Sequence, residues 1–152
     1  MKVLIVEDDD EKAADLADFV KNNYQVKDII VARSLQTGLR AALEEGADLV
    51  LLDMTMRNFD RSLEDEGGRP HHFGGKEILR QMKRESIKAA VIVVTNFDRF
   101  GEEAEEVTLS ELKAELETTF PDYVGTVHYR SNVDRWKQQL QSLIGNRLPR
   151  GN

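Results

Sequence analysis

Short, uninterrupted apolar runs recur along the chain, and segments with helical spacing separate them. Residues 3–6, 49–52 and 90–94 consist of Val, Ile, Leu and Ala, with no polar residue inside a run. A strand with one face in water would alternate apolar and polar residues, so continuous runs predict strands that are buried on both faces. Burial on both faces is typical of a parallel sheet with helices above and below it.

The complete pattern predicts five strands that alternate with five helices. The predicted strands are residues 3–6, 26–32, 47–54, 90–94 and 123–129. The predicted helices run from the acidic residues 7–11 to about 24, from 35 up to Gly46, and over about 75–84, 108–120 and 133–144. An α/β fold satisfies this alternation: a doubly wound, five-stranded parallel sheet of flavodoxin-like order 2-1-3-4-5, with helices on both faces.

Particular residues are expected to begin and to bury the first two helices. Asp8, Asp9 or Asp10 can cap the N-terminus of the first helix, and Ser34 that of the second. The expected buried positions of the first helix are Ala14, Leu16, Phe19 and Val20.

Composition excludes several classes of protein. The chain has 152 residues, and we expect one domain over residues 1–145 with a flexible tail at 146–152. Its net charge of −7 makes nucleic acid and anionic membranes poor partners. The absence of cysteine excludes disulfides and thiolate chemistry. No segment approaches the roughly 20 apolar residues of a membrane span, so we predict a cytoplasmic protein.

Two connections are long for a compact domain. Residues 55–74 are rich in glycine and charge, and residues 96–107 are acidic. Loops of this length usually serve a function or are mobile. The first loop contains the adjacent histidines His71 and His72, which we interpret as surface residues because no cysteine or spaced third ligand accompanies them.

Oxygen-bearing side chains stand at the predicted carboxyl ends of three strands. Glu7 and Asp8 follow the first strand, Asp53 follows the third and Thr95 follows the fourth. Ligands of open α/β sheets bind at this edge. Carboxylates brought together there need a proton or a cation between them, and Mg²⁺ is the hard cation that oxygen ligands favour. Taken alone, the acidic run 7–11 is explained equally well as a solvated helix start or as part of a metal site. The presence of Asp53 at a second strand end favours the metal site.

The segments 3–9, 49–54 and 91–95, which read VLIVEDD, LVLLDM and VIVVT, resemble the receiver domains of two-component response regulators. The resemblance covers nearly the whole chain, interrupted by the two long loops. The first two motifs are specific as a pair and weak singly.

The resemblance implies a role for each residue at the carboxyl edge. Asp53 corresponds to the aspartate that is phosphorylated. Asp8 corresponds to a direct Mg²⁺ ligand and Glu7 to a ligand that acts through water. The backbone carbonyl of Thr55 would complete the metal shell. Thr95 corresponds to the switch hydroxyl that turns toward the phosphoryl group.

The chain departs from the receiver pattern at the end of the fifth strand. Receivers place a lysine there, but the position falls on Tyr129, unless Arg130 supplies the cation through a curled strand end. The aromatic residue of the family's switch aligns with Thr126. The resemblance therefore implies an atypical receiver, in which loss of a charged contact worth roughly 1.5–3 kcal/mol is expected to weaken the switch.

Three hypotheses about function follow. The first is a phosphoacceptor that takes a phosphoryl group on Asp53 from a histidine kinase or other phosphodonor and acts on a downstream protein partner. The second is a degenerate receiver that serves as an interaction module regardless of phosphorylation. The third is an Mg²⁺-dependent phosphatase or nuclease, for which neither a general acid nor a second metal can be assigned. We therefore expect a protein that is not an enzyme beyond its own phosphorylation and dephosphorylation. The resemblance also allows a homodimer.

Overall fold

The computed structural model describes residues 1–60, 70–101 and 106–151. Its main sheet consists of β1 Lys2–Val6, β2 Asp28–Ala32, β3 Leu49–Leu52, β4 Ala90–Thr95 and β5 Tyr123–His128. All neighbours pair in parallel, in the spatial order β2-β1-β3-β4-β5. The predicted doubly wound, flavodoxin-like order is confirmed.

Five helices connect and cover the strands within the described residues. They are α1 Asp10–Asn23, α2 Leu35–Glu44, α3 Gly74–Arg84, α4 Leu109–Thr119 and α5 Arg135–Ile144. Side-chain oxygens cap three of them, since Asp9 accepts from the backbone of α1, Ser34 from that of α2, and Thr108 from that of α4. Of the three candidate caps of the first helix, the structure uses Asp9.

The apolar runs are continuous because each face of the sheet carries its own buried layer. Alternate residues of a strand point to opposite faces. Leu4 and Leu52 therefore pack in the layer beneath α2, α3 and α4, whereas Ile5 and Leu51 pack in the layer beneath α1 and α5. These four side chains are fully buried. The prediction of helices on both faces is confirmed.

The buried face of α1 differs from the predicted one by one position. Ala14 is exposed, whereas Ala13 is buried, together with Leu16, Phe19 and Val20 as expected. The prediction for Ala14 was wrong because the Asp9 cap fixes where the helix begins, and with it which side chains face the sheet.

Each long connection contains a short antiparallel pair of strands that the sequence did not predict. Met56–Arg57 pairs with Pro70–His71, and Arg99–Phe100 pairs with Val107–Thr108. Each pair closes the base of its loop, and residues 61–69 and 102–105 lie outside the described residues. The two predicted loops therefore begin and end in ordered structure.

The C-terminal residues contact the end of α1. Leu148 is buried in the layer beneath α1 and α5. The Pro149 carbonyl accepts a hydrogen bond from Gln25 N at 2.8 Å, and Gly151 N donates to the Asn23 carbonyl at 2.8 Å. The predicted flexibility of residues 146–152 stays a prediction.

None of the helices in the described part of the chain has the length and apolar character needed to cross a bilayer.

Candidate functional site

Three carboxylates converge at the carboxyl edge of the main sheet. In the register of β1 and β3, Val6 lies opposite Leu52, so Glu7 and Asp53 leave the sheet side by side. One oxygen from each of Glu7, Asp8 and Asp53 lies within 4.8 Å of the others. Glu7 and Asp53 are buried and Asp8 is half-buried. The predicted convergence of these residues is therefore present in the fold.

Backbone N–H groups hold each carboxylate in place. Met54 N donates to Asp53 Oδ1 at 2.8 Å. Asp9 N donates to Glu7 Oε2 at 3.1 Å. Asp8 Oδ2 accepts from the N–H of Arg57, in the short strand pair at the base of the first long loop, at 3.2 Å. Donors to a charged oxygen stabilise the ionised form and restrict the side chain to one orientation.

A lysine that the sequence analysis did not select lies inside this cluster. Lys12, in the first turn of α1, places Nζ 2.5 Å from Glu7 Oε1 and 3.4 Å from Asp53 Oδ1. Its side chain is 2% exposed. The missed signal was helical spacing, because Lys12 precedes Leu16 by four residues and Phe19 by seven and so shares their buried face.

Burial and like charge dominate the electrostatics of the cluster. Burial, followed by the charge of Asp53, raises the pKa of Glu7 to about 8, although the Lys12 ammonium opposes both effects. Burial likewise raises the pKa of Asp53, against the opposing charge of Lys12. Burial alone would lower the pKa of Lys12, but the charges of Asp53 and Glu7 outweigh it and raise that pKa above its ordinary value. Lys12 therefore stays charged at neutral pH among carboxylates that favour additional positive charge.

A cleft of about 370 Å³ opens above the carboxylates. It is lined by acidic residues on one side and by residues of the two long loops on the other: Glu7, Asp8, Asp9, Asp53, Thr55, His72, Asn96, Phe97 and Gly101. Thr55 Oγ1 donates to the carbonyl of His72 at 3.1 Å, which joins the two ends of the first loop. His72 is exposed, in keeping with its interpretation as a loop residue.

Two relatives match almost the whole chain. The uncharacterized protein y4jR of Sinorhizobium fredii is 35% identical over 145 residues, which cover 93% of this chain and 95% of the relative. The Detocs response regulatory protein DtcB of Enterobacter cloacae is 30% identical over 147 residues, which cover 95% of this chain and 98% of the relative. The chain belongs to the response-regulator receiver family.

Solved structures agree with this assignment at the level of the fold. The response regulator TrrA of Thermotoga maritima, crystallised in complex with Mg(2+)-BeF, matches this receiver with a TM-score of 0.60 at 18% identity. The match covers 93% of this receiver and 97% of TrrA. A scan against protein-family models gives no match. A two-component signalling role follows from membership of the family.

The position after strand β5, where receivers carry a lysine, holds a buried tyrosine. Tyr129 is 5% exposed, and its ring centroid lies 5.2 Å from that of Trp136. Its hydroxyl donates to Asp15 Oδ2 at 2.5 Å. Burial, followed by this hydrogen bond, raises the pKa of the phenol above its ordinary value. Arg130 is exposed and lines a neighbouring cleft with Glu11, and this cleft shares Asp9 and Asn96 with the carboxylate cleft. In this structure neither residue supplies a cation to the carboxylates.

The predicted switch residues lie beneath the cleft and in β5. Thr95 is buried at the end of β4, and its hydroxyl oxygen accepts from Phe97 N at 3.2 Å. Like Lys12, Thr95 is buried and is not among the described residues that line the cleft. Thr126 lies 2.5 Å from the hydroxyl of Tyr123, oxygen to oxygen. The switch role of Thr95 stays a prediction.

Replacing Tyr129 with phenylalanine is expected to lower the free energy of unfolding by about 1 kcal/mol, because it removes one hydrogen bond to a half-buried carboxylate. Urea denaturation would measure the loss, and an Asp15→Asn double-mutant cycle would assign it to this pair. An equal loss in the Asp15→Asn background would contradict the assignment to this hydrogen bond.

Proposed function

We propose that this receiver is a phosphoacceptor, in which Asp53 takes a phosphoryl group in an Mg²⁺-dependent reaction and a downstream protein partner binds the modified form. The observation that carries the proposal is the convergence of Glu7, Asp8 and Asp53 within 4.8 Å, at the open edge of the sheet. The donor would be a histidine kinase or another phosphorylated protein. The net charge of −7 argues against direct binding of nucleic acid.

The transfer is a displacement at phosphorus. An oxygen of the Asp53 carboxylate attacks, an O–P bond forms, and the P–N bond of a phosphohistidine donor breaks. The imidazole leaves with the electron pair of that bond, and it leaves as the neutral ring because its other nitrogen carries a proton taken from solvent. With a small acyl phosphate as donor, a P–O bond breaks and the carboxylate leaves instead. The Met54 N–H holds the attacking carboxylate in one orientation, 2.8 Å from Oδ1.

The residues of the cleft fit a hard divalent cation. All the donors are oxygens, two of the three carboxylates are buried, and their mutual repulsion favours a neutralising charge. Asp8 and Asp53 would hold Mg²⁺ directly, Glu7 through water, and Thr55 through its backbone carbonyl. When bound, the ion offsets the charge repulsion between the carboxylate and the incoming phosphoryl group.

An intact-mass experiment tests the proposal. The receiver is incubated with acetyl phosphate and Mg²⁺, and we expect a single phosphoryl adduct that chelation with EDTA prevents and Asp53→Asn abolishes. Asp98→Asn is the matched control, since it alters an exposed carboxylate in the second long loop and should leave the adduct unchanged. No adduct in folded protein, or an adduct that survives Asp53→Asn, would contradict the proposal.

A second candidate is an interaction module that works without phosphorylation. It is favoured by the ion pairs of Lys12, which neutralise part of the charge of Glu7 and Asp53 without any metal. In that case Asp53→Asn would leave partner binding intact. The phosphatase or nuclease hypothesis gains no comparable support, because a single acidic cluster of the required spacing occurs among the described residues.

A further inference from the structure

We propose that Lys12 is the cation that contacts the phosphoryl group on Asp53, in place of the lysine that receivers carry after the fifth strand. The inference rests on the proposed phosphoacceptor role of Asp53. The charged contact to the phosphoryl group would then come from α1, whereas other receivers supply this contact from the end of the fifth strand.

The distances carry the first step of the argument. Lys12 Nζ lies 3.4 Å from Asp53 Oδ1 and 2.5 Å from Glu7 Oε1. A phosphoryl group bonded to Asp53 would bring its oxygens to the immediate surroundings of this ammonium. A buried ammonium forms a charge-assisted contact with such oxygens, and water competes weakly for it because the lysine is 2% exposed.

The orientation of α1 provides the second step. Asp9 caps the helix by accepting from Lys12 N at 3.0 Å, which fixes the backbone of the lysine close to the acidic pair. The Lys12 Nζ lies over the Tyr129 ring, 5.7 Å from the ring centroid. The tyrosine that replaces the family's lysine therefore forms part of the wall that directs Lys12 toward the carboxylates.

The remaining candidate cations are less well placed. Arg130 is exposed and lines a neighbouring cleft, which shares Asp9 and Asn96 with the carboxylate cleft. Arg33 pairs with the exposed Asp10, and it donates to the backbone carbonyl of Asp8 at 3.5 Å. Lys12, by contrast, forms an ion pair with Asp53, with 3.4 Å between Nζ and Oδ1.

The first test follows the rate of the phosphoryl adduct on Asp53 by intact mass, with acetyl phosphate and Mg²⁺. We expect Lys12→Gln to slow its formation by about 10- to 100-fold, the effect of losing one charged contact, and Lys12→Arg to restore part of the rate. Lys21→Gln, at an exposed position of the same helix, and Arg130→Gln should keep the original rate. Near-ultraviolet circular dichroism of Trp136 establishes that each variant is folded.

A second measurement needs no substitution of the lysine. The ¹⁵N resonance of the Lys12 ammonium is followed by NMR while beryllofluoride and Mg²⁺ are added to the unaltered receiver. A phosphoryl-contacting lysine shifts its Nζ resonance when the analogue binds, and Asp53→Asn abolishes the shift. A lysine that only stabilises the fold leaves the Nζ resonance where it was. This readout decides the question if Lys12→Gln does not fold.

The outcomes separate this proposal from the one on which it rests. An Asp53 adduct that forms equally fast in folded Lys12→Gln, or an Nζ resonance unmoved by beryllofluoride, overturns the role of Lys12 and leaves the phosphoacceptor standing. Loss of the adduct in Arg130→Gln with retention in Lys12→Gln transfers the role to Arg130. Absence of an adduct in the unaltered receiver overturns both proposals.

Discussion

Replacing Lys12 with methionine is expected to lower the free energy of unfolding by about 3–5 kcal/mol when no divalent cation is present. The ammonium is the positive partner of two buried carboxylates, Glu7 at 2% and Asp53 at 3% exposure. Methionine keeps most of the volume but leaves these carboxylates facing each other without a counter-charge. Urea denaturation in the presence of EDTA measures the loss.

Two further variants establish the cause of that loss. Lys21→Met removes an exposed lysine from the last turn of α1 and should change stability by less than about 0.5 kcal/mol. The double variant Glu7→Gln/Lys12→Met removes one buried carboxylate with its partner and should recover much of the stability. A cost below about 1 kcal/mol for Lys12→Met would mean that the ion pairs contribute little to folding.

Replacing Gly75 with alanine is expected to lower the free energy of unfolding by about 1–3 kcal/mol and to slow phosphorylation of Asp53 by up to about 100-fold. A Cβ at Gly75 would overlap the Asp53 carbonyl oxygen and lie 3.0 Å from Met54 Cα. Both neighbours are backbone, which cannot move aside without displacing Asp53. The gain of roughly 1 kcal/mol from alanine in a helix is too small to offset this overlap.

The adjacent glycine provides the matched control. A Cβ at Gly74 would meet the flexible side chain of Met56, which can turn away. Gly74→Ala should therefore cost less than about 1 kcal/mol and leave the rate of phosphorylation within a few-fold of the original. Denaturation and intact mass measure the two effects separately. Equal stability of Gly75→Ala and the unaltered receiver would show that α3 can shift away from the strand end.

The elements of the fold could be predicted because their signals are local. Five strand patterns and five helical patterns each occupy a short stretch of chain, and Ser34 caps α2 as predicted from its residue type. The observed boundaries differ from the predicted ones by a few residues. Strand β2 begins at Asp28 rather than at residue 26, and helix α5 begins at Arg135 rather than at residue 133. Such ends depend on which backbone groups find partners, and spacing does not show this.

The candidate site could be predicted only in part. Glu7, Asp8 and Asp53 were selected because each follows a buried strand, and parallel strands that pair in the fold bring their carboxyl ends together. The placement of Tyr129 at the receiver lysine position, with Arg130 as the alternative source of a cation, stays a prediction. What the spacing of strand ends did not show is the ammonium of Lys12, which forms ion pairs with Glu7 and Asp53.

The sequence by itself therefore determined the parallel α/β architecture, the edge of the sheet at which chemistry can occur and the three carboxylates that lie there. Only the tertiary structure decided which cation neutralises them. A strand end is defined by its neighbours in the chain, whereas the direction in which the Lys12 side chain extends depends on the Asp9 cap, the packing of α1 on the sheet and the Tyr129 ring. These three contacts join residues up to 117 positions apart (12 to 129), and no local pattern contains that relation.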